Sequence, residues 1–589
     1  EIGLPVSHLV FRGLSFQHAD WQYPRTTSLD GQAAVFLDAL VTADGARHCR
    51  FEDLEIAHGG SYGLWFRRGC KDNSVARTRI HDLGGGGVRL GESDTRSGEA
   101  LSERNEVDNC WLHHLGQVFA GACGVLVQRS SGNRITHNEI SDLYYTGISV
   151  GWSWGYQPST ARDNLIAHNH VHHLGWGVLS DMGGIYTLGI SPGTQVVNNS
   201  FHDILSYSYG GWGMYTDEGS SGILFENNLS YNTKTGGFHQ HYGRDNIIRN
   251  NVLAFAAEGQ LQRTRNEDHN SFTFERNIVY TDRGELLSGN WSNDRFVLDR
   301  NVYWHAAEPD PEFFGHSWDE WQAKGHDRNS RLADPLLVDP KQGNFGLRAE
   351  SPALALGFHP IDASTIGLYG EPAWVAAPQS LSRPAMVFPT PAPPRLLSDD
   401  FETSAVGDQP RGAVVSGETE KARIRVTDET AAGGQHSLKV TDAAGLSHSW
   451  DPHFYWRLNH RRGLATVRFD LRFEPGAKLY HEWRDTRNPY RAGPSLHILP
   501  DGQIQASGRK LLQAPPSQWF GVSITCPLGR QATGHYTVEV RLAGQPPQRF
   551  EGLPCAEGFR SLEWLGFVSE STDERVFYLD NLDLSVAAP

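Results

Sequence analysis

Two short segments of the sequence share one pattern and differ in their acidic residues. "GIYTLG" (184–189) and "GMYTDEG" (213–219) both open with glycine, an apolar residue, Tyr and Thr, but only the second carries Asp217 and Glu218. A further acid, Asp181, stands three residues before the glycine of the first segment. Glycoside hydrolysis uses two carboxyl groups: one protonates the leaving oxygen, and the other attacks the anomeric carbon or activates water. Asp181 and Asp217 are therefore predicted as the catalytic pair.

Similar glycine-led segments recur along the chain and predict which side chains lie beside the acids. Side chains alternate along a strand, so the second and fourth residues after each glycine are expected to face outward. In this scheme Arg263 lies near Asp217 and can keep it ionised. That would suit the nucleophile or base and leave Asp181 as the acid, although the order of the two roles stays open. Glu218 is expected to point the opposite way and to cap the turn. The predicted substrate-binding residues are Tyr186, Tyr215, Glu218, His239, His241, Arg263, Trp152 and Trp212.

Aromatic side chains cluster around the same segments. They occur in "YYTGISVGWSWGY" (144–156), "HHLGWG" (172–177) and "YSYGGWGMY" (207–215). The apolar faces of sugars stack on aromatic rings, while polar side chains bond the hydroxyl groups. A single tryptophan is better explained by packing in a turn, but the cluster as a whole favours sugar binding.

A group of histidines invites a metal interpretation. His168, His170, His172 and His173 are close in the sequence, but His168 and His170 share one outward face and no carboxylate joins them at ligand spacing. Surface histidines without a metal are therefore the preferred interpretation.

The elements that must position these residues are six-residue repeats with apolar ends. Successive repeats start 23 to 40 residues apart, and glycine-led segments follow them. Repeats of this length stack as coils of a right-handed parallel β-helix, because each coil buries its inner face only against its neighbours. The copies are "FRGLSF" (11–16), "FEDLEI" (51–56), "VARTRI" (75–80), "VDNCWL" (107–112), "ITHNEI" (135–140), "IAHNHV" (166–171), "VVNNSF" (196–201), "LFENNL" (224–229), "IIRNNV" (247–252), "FERNIV" (274–279) and "LDRNVY" (298–303).

The fourth position of the later copies is always asparagine. Asparagine tolerates left-handed backbone, and amides stacked one coil apart, at about 4.8 Å, can bond each other along the axis. A structural asparagine ladder is predicted, with no chemistry assigned to it. Its predicted members are Asn138, Asn169, Asn199, Asn227, Asn250, Asn277 and Asn301.

Together with "VSHLVFRGLSFQHADW" near the start, the coils ending in "SDMGGIYTLG" and "GMYTDEGSSGILFENN" resemble the parallel β-helix glycoside hydrolases of family 141. The resemblance covers roughly residues 1–370. It implies action on plant cell-wall glycans as an α-L-fucosidase or xylanase, with Asp181 and Asp217 at the positions of the family's proposed catalytic aspartates. It also implies a secreted or periplasmic location. Members carry a long segment before the "FRGLSF" coil, so this sequence is expected to begin inside the β-helix.

The repeats stop after residue 304, which ends the predicted catalytic β-helix of residues 1–304. Residues 305–376, with a short helix in "SWDEWQAKG", are expected to close the β-helix, and the Pro-rich segment 377–397 to form an extended connector. Residues 398–589 alternate short strands with turns, which is typical of a jelly-roll β-sandwich that binds carbohydrate or braces the helix. Acids near the two ends of this domain predict a structural Ca²⁺ site, with plain surface acids as an equal alternative. The predicted ligands are Asp400, Glu402 and Asp580.

The composition of the chain restricts the classes of molecule that it is expected to bind. The net charge of −16 argues against binding nucleic acid or an anionic membrane through bulk charge. No apolar run is long enough to span a bilayer, which takes about 20 residues. The six cysteines form no CxxC pair, so zinc and thioredoxin-type chemistry are not expected; Cys526 and Cys555 fit either a disulfide or buried thiols. A polysaccharide or oligosaccharide is the expected partner, and no cofactor is expected for catalysis.

Two other functions remain open at this stage. A polysaccharide lyase or uronate epimerase on the same fold would abstract a proton next to a carboxylate, and Tyr215, His241 and Arg263 could serve it. A non-catalytic glycan-binding adhesin would need only aromatic and amide groups. Against the adhesin stands the concentration of titratable groups on three adjacent coils.

Overall fold

Stacked short strands form the first of two compact units. The computed structural model describes residues 3–19, 31–390, 392–485 and 490–587, and it divides into Glu1–Pro391 and Ala392–Pro589. In the first unit, strands from successive coils pair in parallel and build three sheets. This is a parallel β-helix, so the predicted all-β fold class is confirmed. No helix among the described residues is long and apolar enough to cross a membrane.

The three sheets run along the β-helix. The first sheet contains Val10–Arg12, Arg50–Glu52, Ser74–Ala76, Glu106–Asp108, Arg134–Thr136, Leu165–Ala167, Gln195–Val197, Leu224–Glu226, Asn246–Arg249, Phe272–Glu275 and Val297–Asp299. The second sheet contains Ser15–Gln17, Glu55–Ala57, Arg79–His81, Trp111–His113, Glu139–Leu143, His170–Leu174, Ser200–Ile204, Leu229–Thr233, Val252–Ala254, Ile278–Thr281, Val302–His305 and Arg331–Leu332. The third sheet contains Ala39–Ala43, Tyr62–Phe66, Val88–Leu90, Val125–Val127, Ile148–Val150, Gly183–Ile190, Trp212–Ser221, Gly236–Gln240, Gly243–Arg244, Gly259–Arg263 and Glu285–Gly289.

Each six-residue repeat folds as the turn between a first-sheet strand and a second-sheet strand. In "ITHNEI", Ile135 and Ile140 lie on the two strands and are fully buried. Equivalent positions pair in register on the next coil, where Ile140 lies opposite Val171. Burial of these aliphatic stacks, at about 25 cal/mol per Å² of apolar area, is the main stabilising contribution. A single coil could not gain this stabilisation, because its inner face would be exposed to solvent.

An asparagine ladder runs through these turns, and two of its members differ from those predicted. Asn169 donates from Nδ2 to Oδ1 of Asn199 at 2.9 Å. The prediction of Asn227 and Asn250 is wrong, because each is followed by a second asparagine and the strand register selects that second residue. The ladder consists of Asn138, Asn169, Asn199, Asn228, Asn251, Asn277 and Asn301.

Residues after the last coils pack back on the β-helix. The helix Trp318–Ala323 begins at a capping box made by Ser317 and Glu320, which confirms the helix predicted in "SWDEWQAKG". A hairpin and a short helix cover outward-facing apolar side chains of the second sheet, such as Ile278. In the Pro-rich segment, Arg383 forms an ion pair with Asp142 at 2.7 Å. The remaining elements of this unit are Gly98–Ala100, Leu337–Asp339, Pro340–Gln342, Asn344–Leu347, Pro352–Ala355, Ala363–Thr365, Pro372–Ala376 and Ala377–Ser380.

The second unit consists of two antiparallel sheets that share one hydrophobic core. Alternate side chains enter this core along each strand, as the sequence pattern predicts. Cys526 and Cys555 are free thiols with sulfur atoms 4.0 Å apart. One sheet contains Leu397–Asp399, Arg423–Thr427, Ser437–Thr441, Gly463–Phe473, Phe520–Leu528, His535–Leu542, Gln548–Pro554 and Val576–Ala587. The other contains Val414–Ser416, His453–His460, Leu479–Arg484, Ala492–Ile498, Gln503–Ala506, Arg509–Gln513 and Leu562–Ser569, and Gly529–Gln531 is a short 3-10 helix.

Candidate active site

Neighbouring strands of the third sheet bring the two predicted acids to one place. Gly183–Ile190 pairs in parallel with Trp212–Ser221, so Tyr186 lies opposite Tyr215 and Leu188 lies opposite Asp217. Asp181 lies two residues before the first of these strands, in left-handed backbone with φ of 57°. Its amide donates to the carbonyl of Tyr209 at 3.1 Å. The turn therefore holds Asp181 at the entrance of the strand that carries Tyr186.

Phenol groups connect the two acids in a crossed arrangement. Tyr186 on the first strand donates to Oδ2 of Asp217 at 2.6 Å. Tyr215 on the second strand donates to Oδ1 of Asp181 at 3.0 Å, and its hydroxyl also interacts with Asp217. Asp217 is only 6% exposed, whereas Asp181 is half-buried. Each carboxyl group is thus oriented by a residue of the neighbouring coil.

The surroundings of Asp181 raise its pKa. Burial is the larger cause and the nearby charge of Asp217 the second, and together they raise the pKa of Asp181 to about 6. The hydrogen bond from Tyr215 works in the opposite direction, and the charge of Glu218 adds to the increase. A carboxyl group with this pKa can donate a proton at mildly acidic pH.

Aromatic rings support the acids from behind. The ring of Tyr215 lies between Tyr186, at a centroid distance of 4.8 Å, and His239, at 5.0 Å. Trp212 packs on both Tyr215 and His239 at 4.2 Å, and its Nε1 donates to Gln262 at 2.6 Å. These four rings are buried. They therefore position the acids, and their faces are not free to stack on a sugar.

Two predicted residues, Glu218 and His241, keep part of their surface exposed to solvent. Glu218 is half-buried and accepts a hydrogen bond from the hydroxyl of Tyr242 at 3.3 Å. His241 is half-buried as well, and its Nδ1 lies 3.0 Å from the hydroxyl oxygen of Thr264. The same Thr264 oxygen lies 3.0 Å from Nε2 of His239. One threonine therefore orients both imidazoles.

Exposed aromatic rings stand on the loops at both ends of these strands. Beyond the strand ends, the loop that carries Trp154 and Tyr156 is joined to Glu218, whose carbonyl accepts from the amide of Gly155 at 3.1 Å. Trp154 is 46% exposed, and Tyr207, on the loop before Trp212–Ser221, is 75% exposed. Rings of this kind offer the free faces that the buried ones lack.

Several contributors to the site are absent from the sequence prediction. Lys234 donates to the carbonyls of Tyr207 and Ser208 and fixes the loop that carries them. Gln32 donates to the hydroxyls of Tyr145 and Tyr186 at 3.0 and 3.3 Å. Tyr145 belongs to the aromatic run 144–156, which signals it. The sequence around Gln32 and Lys234 carries no such signal.

The predicted placement of Arg263 beside Asp217 is wrong. Leu261 pairs with Phe238, and Arg263 pairs with Gln240 on the inner face of the sheet. The preceding Gln260 bonds back to the main chain of Ala256, and this extra residue shifts the alternation by one. Arg263 is fully buried and donates to Asn293 at 2.7 Å, so it plays no part in the candidate site.

Trp152 also lies in a different environment from the one expected. It is buried and belongs to the hydrophobic core of the β-helix. Its ring contacts that of Trp154 edge-on at 5.4 Å. Trp154, rather than Trp152, presents a ring to solvent on this loop.

The expectation that no carboxylate joins the histidines is wrong. Glu139 on the preceding coil pairs in register with His170. Its Oε2 lies 2.7 Å from Nδ1 of His170, and its Oε1 lies 2.6 Å from Nε2 of His172. His168 lies apart from this group, in a turn where its ring stacks on His137 at 4.7 Å. The spacing of the histidines does not reveal this carboxylate, because Glu139 lies one coil earlier in the chain.

In the second unit, the three acids predicted as calcium ligands bond to the main chain. Oδ2 of Asp580 accepts from the amides of Ala432 and Gly433 at 2.8 and 3.1 Å. Glu402 accepts from two other main-chain amides, and Asp400 accepts from the amide of Glu402. The structural calcium ion stays a prediction.

Comparison with known proteins supports the fold. Residues 97–290 match the family described as right handed beta helix region. A solved structure titled "Glycoside hydrolase" is 24% identical with a TM-score of 0.36, and the match covers 43% of this chain and 49% of that one. The chain thus matches about half the length of that protein. No curated protein matches.

Two further solved structures are polysaccharide lyases. The endo-beta-1,4-glucuronan lyase from the fungus Trichoderma reesei is 10% identical, with a TM-score of 0.24 and coverage of 31% of this chain and 95% of that one. The PL-14 alginate lyase from Aplysia kurodai is 12% identical, with a TM-score of 0.24 and coverage of 31% and 98%.

Proposed function

We propose that this protein is a glycoside hydrolase that cleaves plant or microbial polysaccharides or oligosaccharides with Asp181 and Asp217 as its two carboxyl groups. The observation that carries the proposal is the crossed arrangement in which Tyr186 bonds Asp217 and Tyr215 bonds Asp181. It holds two carboxyl groups from adjacent coils at one site, which is the equipment that glycosidic bond hydrolysis requires.

The two acids have different roles because their environments differ. Asp181 is the general acid, since its pKa of about 6 keeps a proton available for the leaving oxygen. Asp217 is the nucleophile or base. Its charge helps to hold the proton on Asp181, so ionisation of one group favours the protonated form of the other.

The aromatic rim suits a carbohydrate substrate. Exposed rings at both ends of the strands, including Trp154 and Tyr207, can stack on sugar faces, while Glu218 and His241 bond hydroxyl groups. The sequence resemblance to glycoside hydrolase family 141 favours an α-L-fucosidase or xylanase specificity. A secreted or periplasmic location is expected for an enzyme that degrades such polymers.

The polysaccharide lyase alternative has weaker support. A lyase needs a base that removes a proton next to a carboxylate. Burial and the charge of Asp217 raise the pKa of Tyr215, and Tyr186 is affected in the same way. Arg263 faces the interior. Two of the groups that the lyase mechanism would call upon are therefore unsuited to it.

The test compares the wild type with Asp217→Asn on aryl glycosides and plant cell-wall polysaccharides, scored for reducing ends and for unsaturated products that absorb in the ultraviolet. We expect reducing sugar without ultraviolet absorption from the wild type. The variant should lose about 1000-fold or more in kcat/KM, because asparagine cannot act as nucleophile or base.

The matched control is Asp245→Asn, an exposed aspartate in a left-handed turn that asparagine also tolerates. It should retain wild-type activity. Ultraviolet-absorbing product from the wild type would overturn the hydrolase in favour of a lyase, and glycan binding without turnover would favour an adhesin. Retention of most activity by a folded Asp217→Asn would remove Asp217 from the mechanism.

A further inference from the structure

A second group of titratable side chains lies on the outer face of the second sheet, away from the strands that carry the acid pair. It is built on three successive coils, from the strands Glu139–Leu143, His170–Leu174 and Ser200–Ile204. Parallel register places Glu139 opposite His170, and His172 opposite His202. The spacing of coils therefore brings a carboxylate and three imidazoles together on one surface.

Three of these side chains point ligand atoms at a common centre. Nδ1 of His170 lies 2.7 Å from Oε2 of Glu139, and Nε2 of His172 lies 2.6 Å from Oε1. One ligand atom from each of the three residues falls within 4.8 Å of the others. We propose that Glu139, His170 and His172 bind a divalent transition-metal ion of the zinc class.

The donor set fits this class of metal. Two imidazoles and one carboxylate suit zinc and related first-row ions, whereas Ca²⁺ and Mg²⁺ prefer oxygen ligands alone. Glu139 and His172 are buried, and His170 is half-buried. Three protein ligands leave a coordination position open, and the exposed edge of His170 gives an ion access to the centre.

Outer partners hold both imidazoles in the orientation a metal needs. The far nitrogen of His170, Nε2, lies 2.7 Å from Nε2 of His202, and Nδ1 of His202 lies 2.6 Å from Asp203. The far nitrogen of His172, Nδ1, lies 2.6 Å from Nδ1 of His173. Metal-binding histidines characteristically donate their second N–H to such a partner, which fixes the ring and its tautomer.

The hydrogen bonds beyond the centre are compatible with a bound cation. Past His170, the path to Asp203 has two contacts, and two neutral imidazoles supply two N–H groups for them. A metal ion on Nδ1 of His170 therefore leaves both of these contacts satisfied. The adjacent Arg383 is paired with Asp142 at 2.7 Å, so its charge is already compensated.

The experiment uses the full chain without an affinity tag, freed of metal by chelation and dialysis. Zn²⁺ binding is measured by calorimetry, and Co²⁺ binding by its visible absorption spectrum. We expect one ion per chain, and binding weakened about 10- to 100-fold or more in Glu139→Gln. His168→Gln, a histidine of the neighbouring turn outside the group, is the matched control and should bind like the wild type.

A second variant separates loss of the ligand from loss of the fold. His170→Gln changes the half-buried ligand and is the better tolerated substitution, and it should also weaken binding about 10-fold or more. Equal Zn²⁺ affinity in the wild type and in both variants would overturn the proposal. Absence of a Co²⁺ spectrum and of binding heat in the folded wild type would overturn it as well.

Discussion

Two outer faces of the same β-helix carry carboxyl groups whose pKa values are shifted in opposite directions. On the third sheet, which we call the acid face, Asp181 is bonded by a phenol and its pKa is raised to about 6. On the second sheet, the histidine face, burial alone would raise the pKa of Glu139. The charges and hydrogen bonds of His170 and His172 outweigh that effect and hold the pKa well below its usual range.

The difference between the two pKa shifts shows how the hydrogen-bond partner of a carboxyl group influences its protonation. A phenol is a neutral donor, so burial and a second carboxylate decide the outcome on the acid face. An imidazole can carry positive charge and favours an ionised carboxylate beside it. One scaffold can therefore present a proton donor on one sheet and a cation-binding group on another by changing only the residues at paired strand positions.

The largest expected effect is the loss of activity when Asp181 on the acid face is replaced. Asp181→Asn removes the proton donor, so hydrolysis of substrates with poor leaving groups should fall about 100- to 10,000-fold in kcat/KM. Aryl glycosides with a strongly acidic phenol as leaving group need less protonation and should lose much less. The measurement is kcat/KM over a series of aryl leaving groups. An equal loss for every member of the series would contradict the assignment of Asp181 as the acid.

The second prediction concerns the asparagine ladder, which runs through the turns between the first and second sheets. Asn228→Asp replaces the Nδ2 donor to Val196 and Asn251 with an acceptor in a fully buried place. It should lower the free energy of unfolding by about 2 to 4 kcal/mol. Asn227→Asp is the matched control, because Asn227 is half-buried, uses only its oxygen with Asn250 and sits in left-handed backbone.

Urea unfolding of the two variants checks this prediction. A control change within about 0.5 kcal/mol of the wild type is expected for a partly exposed substitution of this kind. Equal destabilisation by Asn227→Asp and Asn228→Asp would show that the ladder is not the source of the effect.

The adjacent asparagines at 227 and 228 show which parts of the fold could be predicted from the sequence and which could not. Apolar residues at fixed positions in eleven repeats predicted the β-helix, because only stacked coils bury such a pattern. The pattern could not choose between Asn227 and Asn228, since both placements fit the repeat and only strand register decides. At Arg263 a single extra residue reversed the predicted side of the sheet, because side chains alternate with a period of two.

Contacts between side chains of different coils were the part of the site that was hardest to predict from the sequence. The sequence placed Tyr186 and Tyr215 in one outward column and Asp217 in the next, and the register agrees with that arrangement. It did not pair Glu139 with His170, which lies 31 residues later. Coil lengths vary along the chain, so no fixed spacing connects such partners before the coils are stacked.

The smallest expected effect concerns His113, a buried histidine on the histidine face, and the pH dependence of the stability of the protein. Burial, followed by the charge of Arg79, lowers the pKa of His113 to about 2, far below the value near 6.5 of an unfolded chain. Below pH 6.5 the unfolded state therefore binds more protons than the folded state, and stability is lost as pH falls. One such group contributes up to about 1.4 kcal/mol per pH unit.

His113→Gln keeps an acceptor for Arg79, whose Nε donates to the imidazole at 3.1 Å, and removes this titration. The free energy of unfolding, measured in urea at pH 7, 6 and 5, should then fall less steeply with decreasing pH than in the wild type. The difference in slope should correspond to the uptake of up to one proton on unfolding, which is about 1.4 kcal/mol per pH unit. An unchanged slope would show that His113 does not remain neutral in the folded protein.

The most direct test of the acid pair is the pH dependence of kcat/KM for the wild type beside Tyr215→Phe. We expect wild-type activity to fall as pH rises through about 6, because Asp181 must hold a proton. The hydrogen bond from Tyr215 lowers the pKa of Asp181, so Tyr215→Phe should move this fall to higher pH. A fall at the same pH in both proteins, or a fall that persists unchanged in Asp181→Asn, would contradict the account.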